Sequence, residues 1–183
     1  MKNLQILFLI LLLATGHGVH AAWIGYNNPF DEQFDGEIQF HGDSFQQAIN
    51  QRDKFGDTFL HRAVYENNVQ GVEELIKFGV DVDQQNALGW TVLHRAIEYD
   101  RTKAIKKLLA GGADVNKQDH RGRTTLHWAF QYDRNEIIPL LIAAGANIDQ
   151  QDEDGLTPLY LGIYRKNYKV LRLLLVGGTN TKN

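Results

Sequence analysis

The fold is decided by residues 89–116, which open with Gly89-Trp-Thr-Val-Leu-His94 and close with Gly112-Ala-Asp-Val-Asn116. The opening pattern, Gly-x-Thr-x-Leu followed by His or Tyr, occurs at intervals of 33 residues, beginning at Gly56, Gly89, Gly122 and Gly155. A second glycine follows each of these after 23 residues, at Gly79, Gly112, Gly145 and Gly178. Repetition in phase at so many positions is the signature of a repeat architecture.

Each period predicts two helices. Leu93, Ala96 and Ile97 form an apolar stripe at helical spacing, and a second stripe follows about ten residues later. A threonine stands where a hydroxyl can cap the first helix of each period, at Thr58, Thr91, Thr124 and Thr157. The second glycine of each period suits a left-handed C-terminal cap. One helix–turn–helix unit is too small to bury its own apolar faces, so the four units are expected to stack.

The openings and endings of these periods resemble the ankyrin repeat. The resemblance implies an all-α ankyrin-repeat solenoid of stacked helix–turn–helix units with projecting β-turns. Four repeats are predicted, at 56–88, 89–121, 122–154 and 155–183, the last of them C-terminal and uncapped, while residues 22–55 are interpreted as an N-terminal tail and a degenerate cap. By the same resemblance, His61, His94 and His127 bond turn backbone and tie neighbouring repeats together.

Two features depart from the family pattern. The family usually has glycine in the turn between the two helices, and we assign that slot to Asn68, Arg101, Arg134 and Asn167. Because arginine is disfavoured at positive φ, the two arginine turns are expected to adopt another geometry. Pro139 falls early in the second helix of the third repeat, where it is expected to remove one hydrogen bond.

The first 21 residues are interpreted as an export signal. Lys2 is followed by an apolar run from Leu4 to Ala14, and small residues at Val19 and Ala21 suit cleavage after Ala21. The alternative is an uncleaved membrane anchor, but a run of 11 residues is short of the roughly 20 that span a bilayer. The mature chain is therefore expected to be secreted, or periplasmic if the source is bacterial, with no membrane partner.

Composition argues against several kinds of site. The chain has no cysteine and a net charge of −3, without a clustered basic face, so neither a Cys-based zinc module nor a nucleic-acid partner is expected. Histidines one repeat apart stand about 10 Å from each other, too far to share a zinc ion. The only serine, Ser44, sits at a predicted helix cap. We therefore expect no cofactor and no enzyme, with a pair of carboxylates as the residual catalytic alternative.

The resemblance favours protein binding. It implies a concave face made of the turn tips and the exposed side of the first helices, where aromatic and arginine side chains are the usual anchors. The predicted partner-binding residues are Phe55, Tyr65, Leu88, Trp90, Tyr99, Arg121, Arg123, Tyr132 and Tyr164. The alternative for the tyrosines is that they pack across neighbouring repeats. Substitution of Trp90 or Arg121 is expected to leave stability nearly unchanged.

The sequence thus predicts an exported module that binds an unidentified protein, as a venom or host-directed effector or as a periplasmic partner protein. The second hypothesis is an inhibitor of intracellular signalling, similar to the ankyrin inhibitors of NF-kappa-B-type factors. The apolar run Leu171–Val176 lies close to the C-terminus, so self-association through the last repeat and simple tolerance of exposed leucines both stay open.

Overall fold

The computed structural model describes residues 52–166 and contains seven α-helices in that range. They are α1 Phe59–Tyr65, α2 Val69–Lys77, α3 Val92–Glu98, α4 Thr102–Ala110, α5 Thr125–Gln131, α6 Ile138–Ala143 and α7 Pro158–Tyr164. Between residues 52 and 166 there is no strand; two isolated bridges, Arg52–Thr58 and Gln85–Thr91, close turns. The all-α repeat solenoid predicted from the sequence is confirmed.

The helices pack in the order of the repeats. The first helices contact one another in succession, α1 with α3, α3 with α5 and α5 with α7, while α2 packs on α4. The leucine of each Thr-x-Leu pattern is buried in the first three repeats, at Leu60, Leu93 and Leu126. One continuous core therefore runs along the array, because each unit covers the apolar face of the one before it.

Local interactions determine where each helix pair begins and ends. Thr91 and Thr157 accept a hydrogen bond on Oγ1 from the amide three residues later, at 3.4 Å and 3.2 Å. Two residues after the end of each second helix comes a glycine with φ between 78° and 91°, namely Gly79, Gly112 and Gly145. At Gly112 the following amide of Ala113 donates to the carbonyl of Leu108, as in a Schellman cap.

The turn between the two helices corrects the sequence interpretation. The residues with positive φ are Asn67, Asp100, Asp133 and Lys166, each one position before the slot that we assigned. All four lie between 55° and 58°, so the turns share one geometry and the arginine turns are not exceptional. Asparagine and aspartate tolerate this region because their short side chains bond locally, which leaves Lys166 as the least favourable of the four.

Arg101 and Arg134 instead join neighbouring repeats. Arg101 donates from Nη2 to the carbonyl of Tyr65 at 3.0 Å, and Arg134 donates to the carbonyls of Ile97 and Glu98 at 3.1 Å and 2.7 Å. These carbonyls lie at the C-terminal end of the preceding first helix, where a cation is favoured. Both arginines therefore serve to bind the repeat that precedes them.

The prediction for Pro139 is also corrected. Helix α6 begins at Ile138, three residues later than the equivalent start of α4, and Pro139 lies in its first turn. Amides in a first turn have no partner within the helix, so proline is tolerated there. Pro139 shortens the helix, and no hydrogen bond is lost from its interior.

Several predicted features lie outside the described residues: the export signal 1–21, most of the segment 22–55 with Ser44, and the end of the fourth repeat with Asn167, Leu171–Val176 and Gly178. In the described part of the chain, no helix combines the length and the apolar character that crossing a membrane requires.

Candidate protein-binding face

The projecting turns are held by one carboxylate or amide in each repeat. Oδ1 of Asp53, Asn86, Asp119 and Asp152 accepts hydrogen bonds from two backbone amides, two and four residues further on, at 2.8–3.0 Å. Short polar side chains commonly fold a turn in this way. The four turns therefore have the same local structure despite their different tips.

Adjacent turns are joined through their backbones. The amide of Ala87 donates to Phe55 at 3.0 Å, that of His120 to Leu88 at 3.3 Å, and that of Glu153 to Arg121 at 3.0 Å. The tips are thus fixed to one another, and their side chains form a row at the repeat spacing. We call Phe55, Leu88, Arg121 and Asp154 the tip row.

Side chains of the tip row point into solvent. Phe55 is 57% exposed and Leu88 is 52% exposed. Arg121 and Asp154 lie further along and approach each other to 3.8 Å between Nη2 and Oδ2, both well exposed. Arg121 thus has a carboxylate of its own neighbouring turn within reach, although such an exposed pair is worth little in itself.

The tyrosines of the first helices divide into two kinds. Tyr65 is 58% and Tyr164 73% exposed, whereas Tyr99 and Tyr132 are half-buried. The rings of Tyr99 and Tyr65 pack edge to face with 5.2 Å between their centroids, and the ring centroids of Tyr132 and Trp128 are 5.5 Å apart. Burial raises the pKa of both Tyr99 and Tyr132 above the usual phenol value, so both phenols stay neutral.

The side chains of Trp90 and Arg123 pack against neighbouring residues and do not project freely into solvent, contrary to the sequence prediction. The Trp90 ring is partly buried against Trp128 at 4.6 Å, with the guanidinium of Arg95 stacked 4.6 Å from its centroid. A substitution such as Trp90→Ala removes these contacts, so we no longer expect it to leave stability unchanged.

Arg123 is bound to Asp119, whose side chain is fully buried. Nη2 and Nε of Arg123 contact Oδ2 at 2.8 Å and 2.9 Å, and Trp128 Nε1 donates to the same oxygen at 3.0 Å. Burial alone would raise the pKa of Asp119, but the hydrogen bonds from Arg123 and Trp128 outweigh it and hold this pKa below its usual value. Arg123 therefore stabilises the projecting turn that Asp119 organises.

The three histidines link one repeat to the next. Each ring accepts the amide of the helix-capping threonine on Nδ1 at 3.0–3.3 Å. Since an amide only donates, Nδ1 must be unprotonated, and Nε2–H donates to a carbonyl of the next turn. His61, His94 and His127 reach Trp90, Arg123 and Leu156 in this way, at 3.1 Å, 3.2 Å and 3.0 Å. The contacts are those that the resemblance implied.

An ion-pair network that sequence reasoning missed lies between the tip row and the tyrosines. Arg95 contacts Asp57 Oδ2 at 3.1 Å and Glu98 Oε2 at 3.2 Å, and Asn86 Nδ2 donates to Asp57 Oδ1 at 2.8 Å. The i,i+3 spacing of Arg95 and Glu98 is visible in the sequence, but Asp57 is 38 residues away from Arg95. Only the stacking of repeats brings it into reach.

Nothing in the geometry of residues 52–166 groups three potential metal ligands together. The comparison with curated proteins finds no match. The family model for ankyrin repeats in three copies matches residues 36–119 and 102–183. Its matches begin 20 residues before Gly56, within the segment that we interpreted as a degenerate cap, and together they cover most of the chain. This chain belongs to the ankyrin-repeat family.

Proposed function

We propose that the chain is an exported module that binds an unidentified partner protein on the face formed by its turn tips and first helices. Ankyrin repeats act as protein–protein interaction modules and are typically not enzymes. The observation that carries the proposal is the exposure of Phe55, Leu88, Tyr65 and Tyr164 on this one face. Large apolar and aromatic side chains on a folded surface gain free energy when a partner removes them from water.

Rigidity of the face supports the same conclusion. Backbone hydrogen bonds between turns and the histidine contacts between repeats hold the exposed side chains in place before any partner arrives. Binding then loses less conformational entropy than it would on flexible loops. A face that is already ordered suits recognition of one particular partner.

The face can be tested by capture from the organism's extracellular or periplasmic fluid. We expect the double variant Tyr65→Ala/Tyr164→Ala to recover the partner at least tenfold less efficiently than the wild type, because two exposed aromatic anchors are lost. Lys106→Ala, on the exposed side of α4, is the matched control and is expected to behave as the wild type. Recovery of the partner by the double variant at the wild-type level would place binding elsewhere.

Export is supported by the leader pattern in residues 1–21. It implies a partner met outside the producing cell or in its periplasm, as for a venom component, a host-directed effector or a periplasmic protein. N-terminal sequencing of the natural protein is expected to start at Ala22. A natural protein that keeps Met1 would contradict export and would leave the binding proposal to be judged by the capture experiment.

A further inference from the structure

The chemistry of the proposed face changes halfway along the array. In the tip row, the first two projecting turns present Phe55 and Leu88, whereas the next two present Arg121 and Asp154. All four occupy the same position of the turn, and the amide of each donates to the Oδ1 atom of the residue two positions earlier. The difference therefore lies in the side chains alone, and a partner that spans the array meets two different surfaces.

Beyond the ion pairs of Arg95, the first helices of the same half present further aromatic side chains. Tyr65 is exposed, and its ring is supported edge to face by Tyr99. The carbonyl of Tyr65 accepts a hydrogen bond from Arg101, which itself lies 5.9 Å from the Tyr99 ring. Phe55 and Leu88 on one side and Tyr65 and Tyr99 on the other thus belong to an ordered surface, which we call the N-terminal anchor surface.

The charges next to this surface are already paired. Asp57 follows Phe55 by two residues, Glu98 directly precedes Tyr99, and both contact Arg95. Arg62 is likewise paired with Glu66 at 2.8 Å, whereas the contact of Lys54 is with the Phe55 ring, at 5.3 Å, and is not an ion pair. A charged group of a partner would have to compete with these contacts and would lose its own hydration. Uncharged apolar side chains have no such competition.

From this arrangement we infer that the N-terminal anchor surface binds an uncharged segment of the partner protein, one that carries at least one large aromatic or aliphatic side chain. The inference rests on the proposed function and adds to it the location and chemistry of the strongest contact. The charged half of the tip row adds orientation, since Arg121 and Asp154 can exchange their mutual contact for polar contacts with the same segment.

The test uses random linear peptides displayed on phage and selected against the full mature chain. Peptides with aromatic or aliphatic pairs and few charges are expected to be enriched. Binding of one labelled selected peptide is then measured by fluorescence anisotropy on purified variants. We expect Phe55→Ser/Leu88→Ser to weaken binding of this peptide about 25- to 100-fold, since each exposed anchor contributes about five- to tenfold.

Two control variants separate the possible outcomes. Ile163→Ser removes an equally exposed apolar side chain, 55% exposed, outside the anchor surface, and Arg121→Ala removes one of the two charges of the tip row. Both are expected to change affinity less than threefold. Peptides that lose binding in Arg121→Ala but keep it in Phe55→Ser/Leu88→Ser would overturn the inference and leave the proposed function intact. Enriched peptides that bind all variants equally would also overturn the inference, whereas the proposed function is decided separately by the capture experiment with Tyr65→Ala/Tyr164→Ala.

Discussion

The free energy of unfolding of the repeat array is expected to be about 2 to 3 kcal/mol lower at pH 4.5 than at pH 7.5 because of His94 alone. Burial lowers the pKa of His94 from 6.5 to about 4. Its Nδ1 already accepts the Thr91 amide, so a second proton would also break that hydrogen bond. The folded chain therefore resists a protonation that the unfolded chain accepts.

The direction of this pH effect on stability follows from proton uptake on unfolding. As pH falls below 6.5 the unfolded imidazole gains a proton while the folded one does not, so unfolding is favoured progressively until the folded pKa is reached. The contribution is complete above pH 6.5 and is lost between 6.5 and about 4. Burial also lowers the pKa of His61 and His127, which adds to the loss in the same direction.

Urea unfolding at pH 7.5 and pH 4.5 measures this effect, and because carboxylates begin to titrate near pH 4.5 as well, the wild type is compared with a variant that lacks the titrating imidazole. His94→Gln provides the matched control, since an amide can accept from Thr91 and donate to Arg123 without titrating. We expect the variant to show a smaller loss of stability over this range than the wild type. An equal loss in both proteins would mean that His94 does not resist protonation.

The second large effect is expected at Gly56. A Cβ atom on Gly56 would lie 2.6 Å from the amide nitrogen of Ala87, the group that joins the first two turns through Phe55. The residue also has φ of 76°, a region that side chains disfavour. Gly56→Ala is expected to lower the free energy of unfolding by about 2 to 4 kcal/mol, from backbone strain and displacement of the second turn.

Gly79→Ala separates these two contributions. Gly79 has nearly the same φ, 78°, but nothing lies within 4 Å of its Cβ position. It should therefore show the conformational strain alone, about 1 to 2 kcal/mol. Chemical denaturation of both variants, side by side, measures the difference. Equal destabilisation would contradict the close approach of the first two turns.

The sequence predicts local structure well in this protein because the causes are local. The capping threonines, the left-handed glycines at the ends of second helices and the apolar stripes all act within one repeat, and their period of 33 reveals them. The misplaced turn is a one-residue error of the same local kind. Asn67 and Asp100 tolerate positive φ as well as Asn68 would, so residue type alone did not choose between adjacent positions.

The sequence by itself determined the repeat, its helices and the positions that face outward. Only the tertiary structure decided which of those positions are free. Trp90 and Phe55 looked equally available, yet Trp90 is covered by Trp128 of the next repeat while Phe55 is not. The physical reason is that exposure depends on the neighbour stacked alongside, and residues about one repeat apart in the chain become partners only when the units pack.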